Sequence, residues 1–112
     1  MPMPYPRLDD DGQTATLDLH GASVEEALAL AARLVREAAR RGRSNVKLVH
    51  GQSTSSRLYQ NRTIKHGLHD LLDRGTLDDV VVHAWRAEGH LLLALDVTAS
   101  SDPTPIRLRD IL

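Results

Sequence analysis

The chain has 112 residues, of which 41% are hydrophobic and 26% charged, and its net charge is -1. This suits one globular domain and excludes both a disordered tail and a generic polycation. It contains no cysteine, which excludes disulfides, thiolate catalysis and cysteine zinc sites. No apolar run approaches the roughly 20 residues of a membrane span. No secretory pattern opens the sequence, so no membrane partner is expected and a cytoplasmic location is the default. With no Phe, one Trp and two Tyr, the core must be built from Leu, Val and Ala.

Residues 1–13 carry three prolines and the run Asp9-Asp10-Asp11 and read as an irregular N-terminal arm. Residues 14–20 form a first strand in which Leu17 and Leu19 alternate with Asp18 and His20. Ser23 is an N-cap, with Glu26 placed for a capping box. The helix runs to about Arg41 and stops at Gly42. Its buried stripe is Val24, Ala27, Leu28, Ala31, Leu34, Val35 and Ala38. A second strand occupies residues 45–50. The hydroxyl-rich turn 52–56 then leads into a second helix, about Arg57 to Arg74, closed by Gly75. Its apolar side is Leu58, Ile64, Leu68, Leu71 and Leu72, and Gly67 weakens it by about 1 kcal/mol relative to Ala. Strands at 80–85 and 91–97 make a hairpin around Arg86-Ala87-Glu88-Gly89. Residues 98–112 are a linker and a short amphipathic tail. The domain proper is therefore 14–97, in the order βαβαββ. Two crossovers of one hand place both helices on one face of the sheet, which gives a two-layer α/β sandwich.

Ligands of open α/β sheets bind beyond the carboxyl ends of the parallel strands. Three elements are expected there: Asp18-Leu19-His20-Gly21, His50-Gly51, and the turn after Trp85 with Arg86 and His90. Two helix N-termini also point that way and favour a phosphate. Imidazoles, a carboxylate and cations around a phosphate-sized site suggest phosphodiester chemistry. His20 or His50 would carry the proton, and Asp18 would orient His20 or hold a metal. The basic residues Arg33, Arg36, Arg40, Arg41, Arg43 and Lys47, followed by Arg57, Arg62 and Lys65, form a candidate polyanion patch or simply solvated helix faces. His66 and His69 lie three apart on the second helix, but no third metal ligand is in view. His83 is expected on the open face of its strand. No Gly-x-Ser-x-Gly elbow surrounds Ser53 to Ser56, which argues against a serine hydrolase.

Leu17-Asp18-Leu19-His20-Gly21, then Val24-Glu25-Glu26-Ala27, then Leu48-Val49-His50-Gly51 thirty residues after the first histidine, resembles the Smr (small MutS-related) domain family. The resemblance covers residues 14–97. It implies a fold similar to the C-terminal domain of translation initiation factor three, with a four-stranded mixed sheet in the order 1-2-4-3. It also implies binding of DNA or RNA and, in many members, endonuclease or nicking activity with a divalent metal such as Mg2+ or Mn2+. The family's Asp-x-His pair matches Asp18 and His20, and its His-Gly matches His50 and Gly51. Asp18, His20 and His50 are then the catalytic candidates, with Asp18 the candidate metal ligand. The nucleic-acid contacts would come from Gly21, Gly51, Gln52, Ser53, Thr54, Ser55, Arg57, Arg62, Lys65 and Arg86.

The second motif departs from the family. The usual pattern is His-Gly-x-Gly or Thr-Gly-x-Gly, often with a basic residue at x, but here it reads His50-Gly51-Gln52-Ser53. The lost glycine would let a backbone approach a phosphate closely. Three readings follow: a metal-assisted endonuclease, a nucleic-acid-binding adaptor without cleavage, and a protein-interaction scaffold. The scaffold would use the open sheet face and the tail 106–112, with an exposed strip of Val81, Trp85 and Leu92.

Overall fold

A computed structural model describes residues 6–51 and 58–112, with side chains except at 58–62. The elements run β1 (Arg7–Asp10), β2 (Thr14–Asp18), α1 (Val24–Arg40), β3 (Asn45–Val49), α2 (Leu58–Asp73), β4 (Val81–Arg86), β5 (His90–Leu95) and a short 3-10 helix (Leu108–Asp110). The sheet has five strands in the order β1-β2-β3-β5-β4. β2 and β3 are parallel, whereas β1–β2, β3–β5 and β4–β5 are antiparallel. Without β1, this is the strand order that the family resemblance implies. No described helix is long and apolar enough to cross a membrane.

Alternation builds the inner layer. Ala15 and Leu17 on β2, Val46 and Leu48 on β3, and Leu91, Leu93 and Leu95 on β5 are buried against the helices. Each fully buried leucine contributes roughly 1.5–3 kcal/mol of transfer free energy. α1 starts as its sequence dictates, with Ser23 Oγ accepting the N–H of Glu26 at 3.1 Å. The residues it buries are Ala27, Leu30, Ala31, Leu34, Val35 and Ala38. Leu30 therefore joins the stripe, while Val24 and Leu28 are only partly buried. On α2, Ile64 and Leu68 are buried, and Leu58 falls among the side chains outside the description. Gly67 has a packing role. A Cβ there would lie 3.1 Å from both Leu28 Cδ atoms, so the missing side chain is what lets α1 and α2 approach.

Three expectations are corrected. The N-terminal arm contains a strand, β1, paired through Arg7↔Asp18, Leu8↔Leu17, Asp9↔Thr16 and Asp10↔Ala15. Its reason lies at Asp10, whose carboxylate takes Arg43 Nε and Nη2 at 2.8 and 2.9 Å. The tail is not free to dock a partner, because Ile106 and Ile111 are 2% exposed and belong to the core. The Val81, Trp85 and Leu92 strip forms only in part: Trp85 is level with Leu92 across β4 and β5, but Val81 leaves the strip. An irregularity between Val81 and His83 shifts the register of β4, and a one-residue shift changes the face on which a side chain emerges. Val81 packs against the core, while Val82 is 64% and Trp85 50% exposed. His83 is on the exposed side as expected, 4.3 Å from Trp85 between ring centroids.

Candidate nucleic-acid interface

The parallel register fixes the rim. Asp18 is level with Val49 on β3, and Val49 is level with His90 on β5. Leu19 N–H donates to the Val49 carbonyl at 2.7 Å, carrying the pairing one residue further. The N–H groups of His50 and Gly51 both donate to the Gly89 carbonyl, at 3.2 and 3.1 Å. The two motif ends and the hairpin turn therefore share one end of the sheet. Gly21 and Gly51 terminate the parallel strands with φ of 88° and 91°, a left-handed conformation that other L-residues rarely adopt. These glycines turn the chain sharply enough to leave the preceding histidines at the rim.

β2 ends at Asp18, so His20 lies in the turn rather than in the strand. The acid and the imidazole still meet. His20 Nδ1 is 2.5 Å from Asp18 Oδ1, and the same oxygen accepts the His20 backbone N–H at 3.1 Å. A carboxylate only accepts, so Nδ1 carries the proton and Nε2 is left to exchange one. The His20 side chain is 56% exposed and that of Asp18 32%. The pair is therefore oriented and open to a large substrate.

His50 differs. It is 0% exposed, and its Nδ1 lies 3.0 Å from the Gly51 carbonyl, so Nδ1–H donates and Nε2 presents a lone pair. Burial lowers its pKa, the Gly51 bond opposes this, and the lesser effects of Lys65 and His90 act with burial. His69 of α2 packs edge to face against it. Burial lowers the His69 pKa as well, followed by the nearby charges of Arg86 and Lys65. Both Nε2 atoms are buried without a hydrogen-bond partner among the described residues. The sequence did not mark His69 as a neighbour of His50, because nothing in a helical spacing says which strand end it faces.

Most of the expected basic patch is structural. Arg36 binds Asp79 and the Thr76 carbonyl. Arg40 binds Glu37, and Arg41 binds Glu37 and Asp110. Arg43 has no exposed area and is held by Asp10 and the carbonyls of Arg41, Asp102 and Thr104. Arg33 donates to the Ile111 carbonyl at 3.3 Å. Arg86 stands at the rim but is paired with Asp73 at 2.7 Å. Lys65 lies near enough to act on both His50 and His69. Lys47 belongs to the open face, in register with Thr16 and Leu92. Gln52, Ser53, Thr54, Ser55 and Arg57, and the side chain of Arg62, lie outside the described residues. Among the described residues, no group of three or more His, Asp or Glu side chains forms a metal cage.

A model of the Smr domain family matches residues 17–90, which includes both motifs and the rim between them. Among solved structures, the chain is similar to the crystal structure of the Smr domain of Thermus thermophilus MutS2. That alignment has a TM-score of 0.56 and 24% identity, covering 72% of this chain and 96% of the other. At that identity the likeness is one of fold. No curated protein matches the chain. β1 lies outside the residues that the family model matches.

Proposed function

Because the chain belongs to the Smr domain family, we propose that it binds DNA or RNA along the Asp18–His20 rim and cuts phosphodiester bonds there. The observation that carries this reading is the Asp18–His20 pair, an exposed imidazole held by a carboxylate through Nδ1. Such a group can take a proton from an attacking hydroxyl or water, or give one to a leaving oxygen, through Nε2. His50 is buried. Its part is to hold the second motif against the hairpin turn, and Lys65 supplies positive charge beside it. The Nδ1–Gly51 bond and the Gly89 carbonyl keep that backbone in place.

Mg2+ or Mn2+ fits here only as a lightly ligated ion. Asp18, whose Oδ1 is engaged by His20, would be the protein residue that holds it, and water and phosphate oxygens would supply the other ligands that Mg2+ commonly takes. Such an ion would neutralise charge on the phosphoryl oxygens.

The alternative is binding without cleavage. It is favoured by Gln52 and Ser53, which stand where a basic residue and a glycine are usual in the family. Incubation with supercoiled plasmid and with structured RNA, with and without Mg2+ or Mn2+, separates the two. Nicked plasmid or discrete RNA fragments support the nuclease, and retention without cutting under every condition supports the adaptor.

A further inference from the structure

We propose that Arg7, on β1, is a phosphate-binding residue of the Asp18–His20 site. The inference rests on the nucleic-acid reading above and adds to it a cation from outside the matched family residues.

The register places Arg7 directly opposite Asp18. Partners across an antiparallel pair project from the same face, with Cβ atoms about 4.5–5.5 Å apart. The alternation of β1 agrees. Leu8 packs against the core and Asp10 meets the buried Arg43, so Arg7 and Asp9 face the open side. Between β1 and β2 lies a cleft of about 260 Å³ lined by Arg7, Leu8, Asp9, Thr16 and Asp18. It opens beside the carboxylate that orients His20.

Arg7 is also uncommitted. Its guanidinium makes no hydrogen bond or ion pair with any described residue, whereas Arg36, Arg40, Arg41, Arg43, Arg74 and Arg86 are each paired with an acid. No ion pair joins it to Asp18, whose Oδ1 is engaged by His20. Asp9, the second carboxylate of the cleft, lies within no ion-pair distance of it either. An exposed guanidinium presents a planar fork of N–H donors that matches two phosphate oxygens. Arg7, Asp18, Val49 and His90 form one row across four strands. A phosphodiester strand lying along that row would meet Arg7 on one side of the Asp18–His20 pair and His90 on the other. β1 is therefore more than a structural addition, because it carries a cation to the flank of the site.

The test uses the full chain with labelled single-stranded RNA and DNA of one sequence at several salt concentrations. Arg7→Gln should weaken binding about tenfold or more, the scale of one charge-assisted contact. It should also reduce the slope of log K against log salt by about 0.7–0.9, the release from one phosphate. Arg7→Lys should keep most of that slope, and Arg109→Gln, on the 3-10 helix, should change neither quantity. The thermal midpoint of Arg7→Gln should match that of the parent, which separates lost binding from lost fold. Arg7→Gln with parental affinity and slope would overturn the inference while leaving nucleic-acid binding intact. A parent chain that binds no oligonucleotide would overturn both. Inorganic phosphate that shifts the Arg7 guanidinium NMR signal as strongly as equimolar oligonucleotide would show a free-anion site and also count against it.

Discussion

His50 and His69 meet edge to face, with ring centroids 6.5 Å apart and planes at 81°, and each keeps a buried Nε2 without a partner among the described residues. A strand end and a helix thus bring two imidazoles together under the rim. Burial favours the neutral form of each, and their cationic neighbours act in the same direction.

The first expected outcome is a pH effect on stability. Both histidines have pKa values lowered from 6.5 in the fold. As pH falls below about 6.5 the unfolded chain takes up these protons first, so stability is full above that pH and declines towards the folded values. Urea denaturation at pH 7.5, 6.0 and 5.0 should show this loss before the carboxylates titrate, and His69→Leu should flatten it. NMR titration checks the premise directly: His50 and His69 ring signals with midpoints at or above 6.5 would refute it.

The buried pair Asp10–Arg43 ties three segments together. Burial works against the Asp10 charge, but hydrogen bonds from Arg43, Ile106 N–H and Gly12 N–H outweigh it and hold the carboxyl below its ordinary value. Removing one partner leaves the other charge buried, which costs about 3–5 kcal/mol. Asp10→Ala should therefore lower the urea-unfolding free energy by that amount. A loss below about 1 kcal/mol, the value typical of an exposed pair, would mean that the charge is solvated.

Gly67 tests the helix contact. Alanine there gains helix propensity of about 1 kcal/mol but must push the Leu28 methyls aside, so Gly67→Ala should be close to neutral. Gly67→Val adds two further methyls against Leu28 and should cost about 1–3 kcal/mol. A stabilising valine would show that the two helices stand further apart at this point.

Some elements were legible because their signals are local. Ser23, Glu26 and Gly42 bracket α1 to within a residue, and alternation in Leu17 to His20 marks β2 up to its last residues. The motif spacing gave the rim, since a parallel pair places Asp18 beside Val49. β1 was hidden because three consecutive aspartates resemble a solvated turn. The partner that makes Asp10 a buried residue lies 33 positions away. The arginines of the expected patch look alike in sequence, and only the fold separates Arg43, buried in a carboxylate, from Arg7, which faces the open side. The facing of Val81 depended on a local irregularity that β-branched composition does not encode. His69 needed the packing of α2 over the sheet before it could be seen beside His50.

The central claim is that His20, oriented by Asp18, moves a proton during phosphodiester cleavage. The most direct measurement is single-turnover cleavage of one structured RNA or supercoiled plasmid by the parent, His20→Ala and Asp18→Asn, with binding measured in parallel. General acid–base groups contribute about 10²–10⁴-fold, so His20→Ala should slow cleavage by at least about 100-fold while affinity changes far less. Asp18→Asn keeps the shape but removes the charge that orients the imidazole, and it should also slow cleavage and spare binding. Cleavage at the parental rate in the His20→Ala, Asp18→Asn double variant would contradict the account.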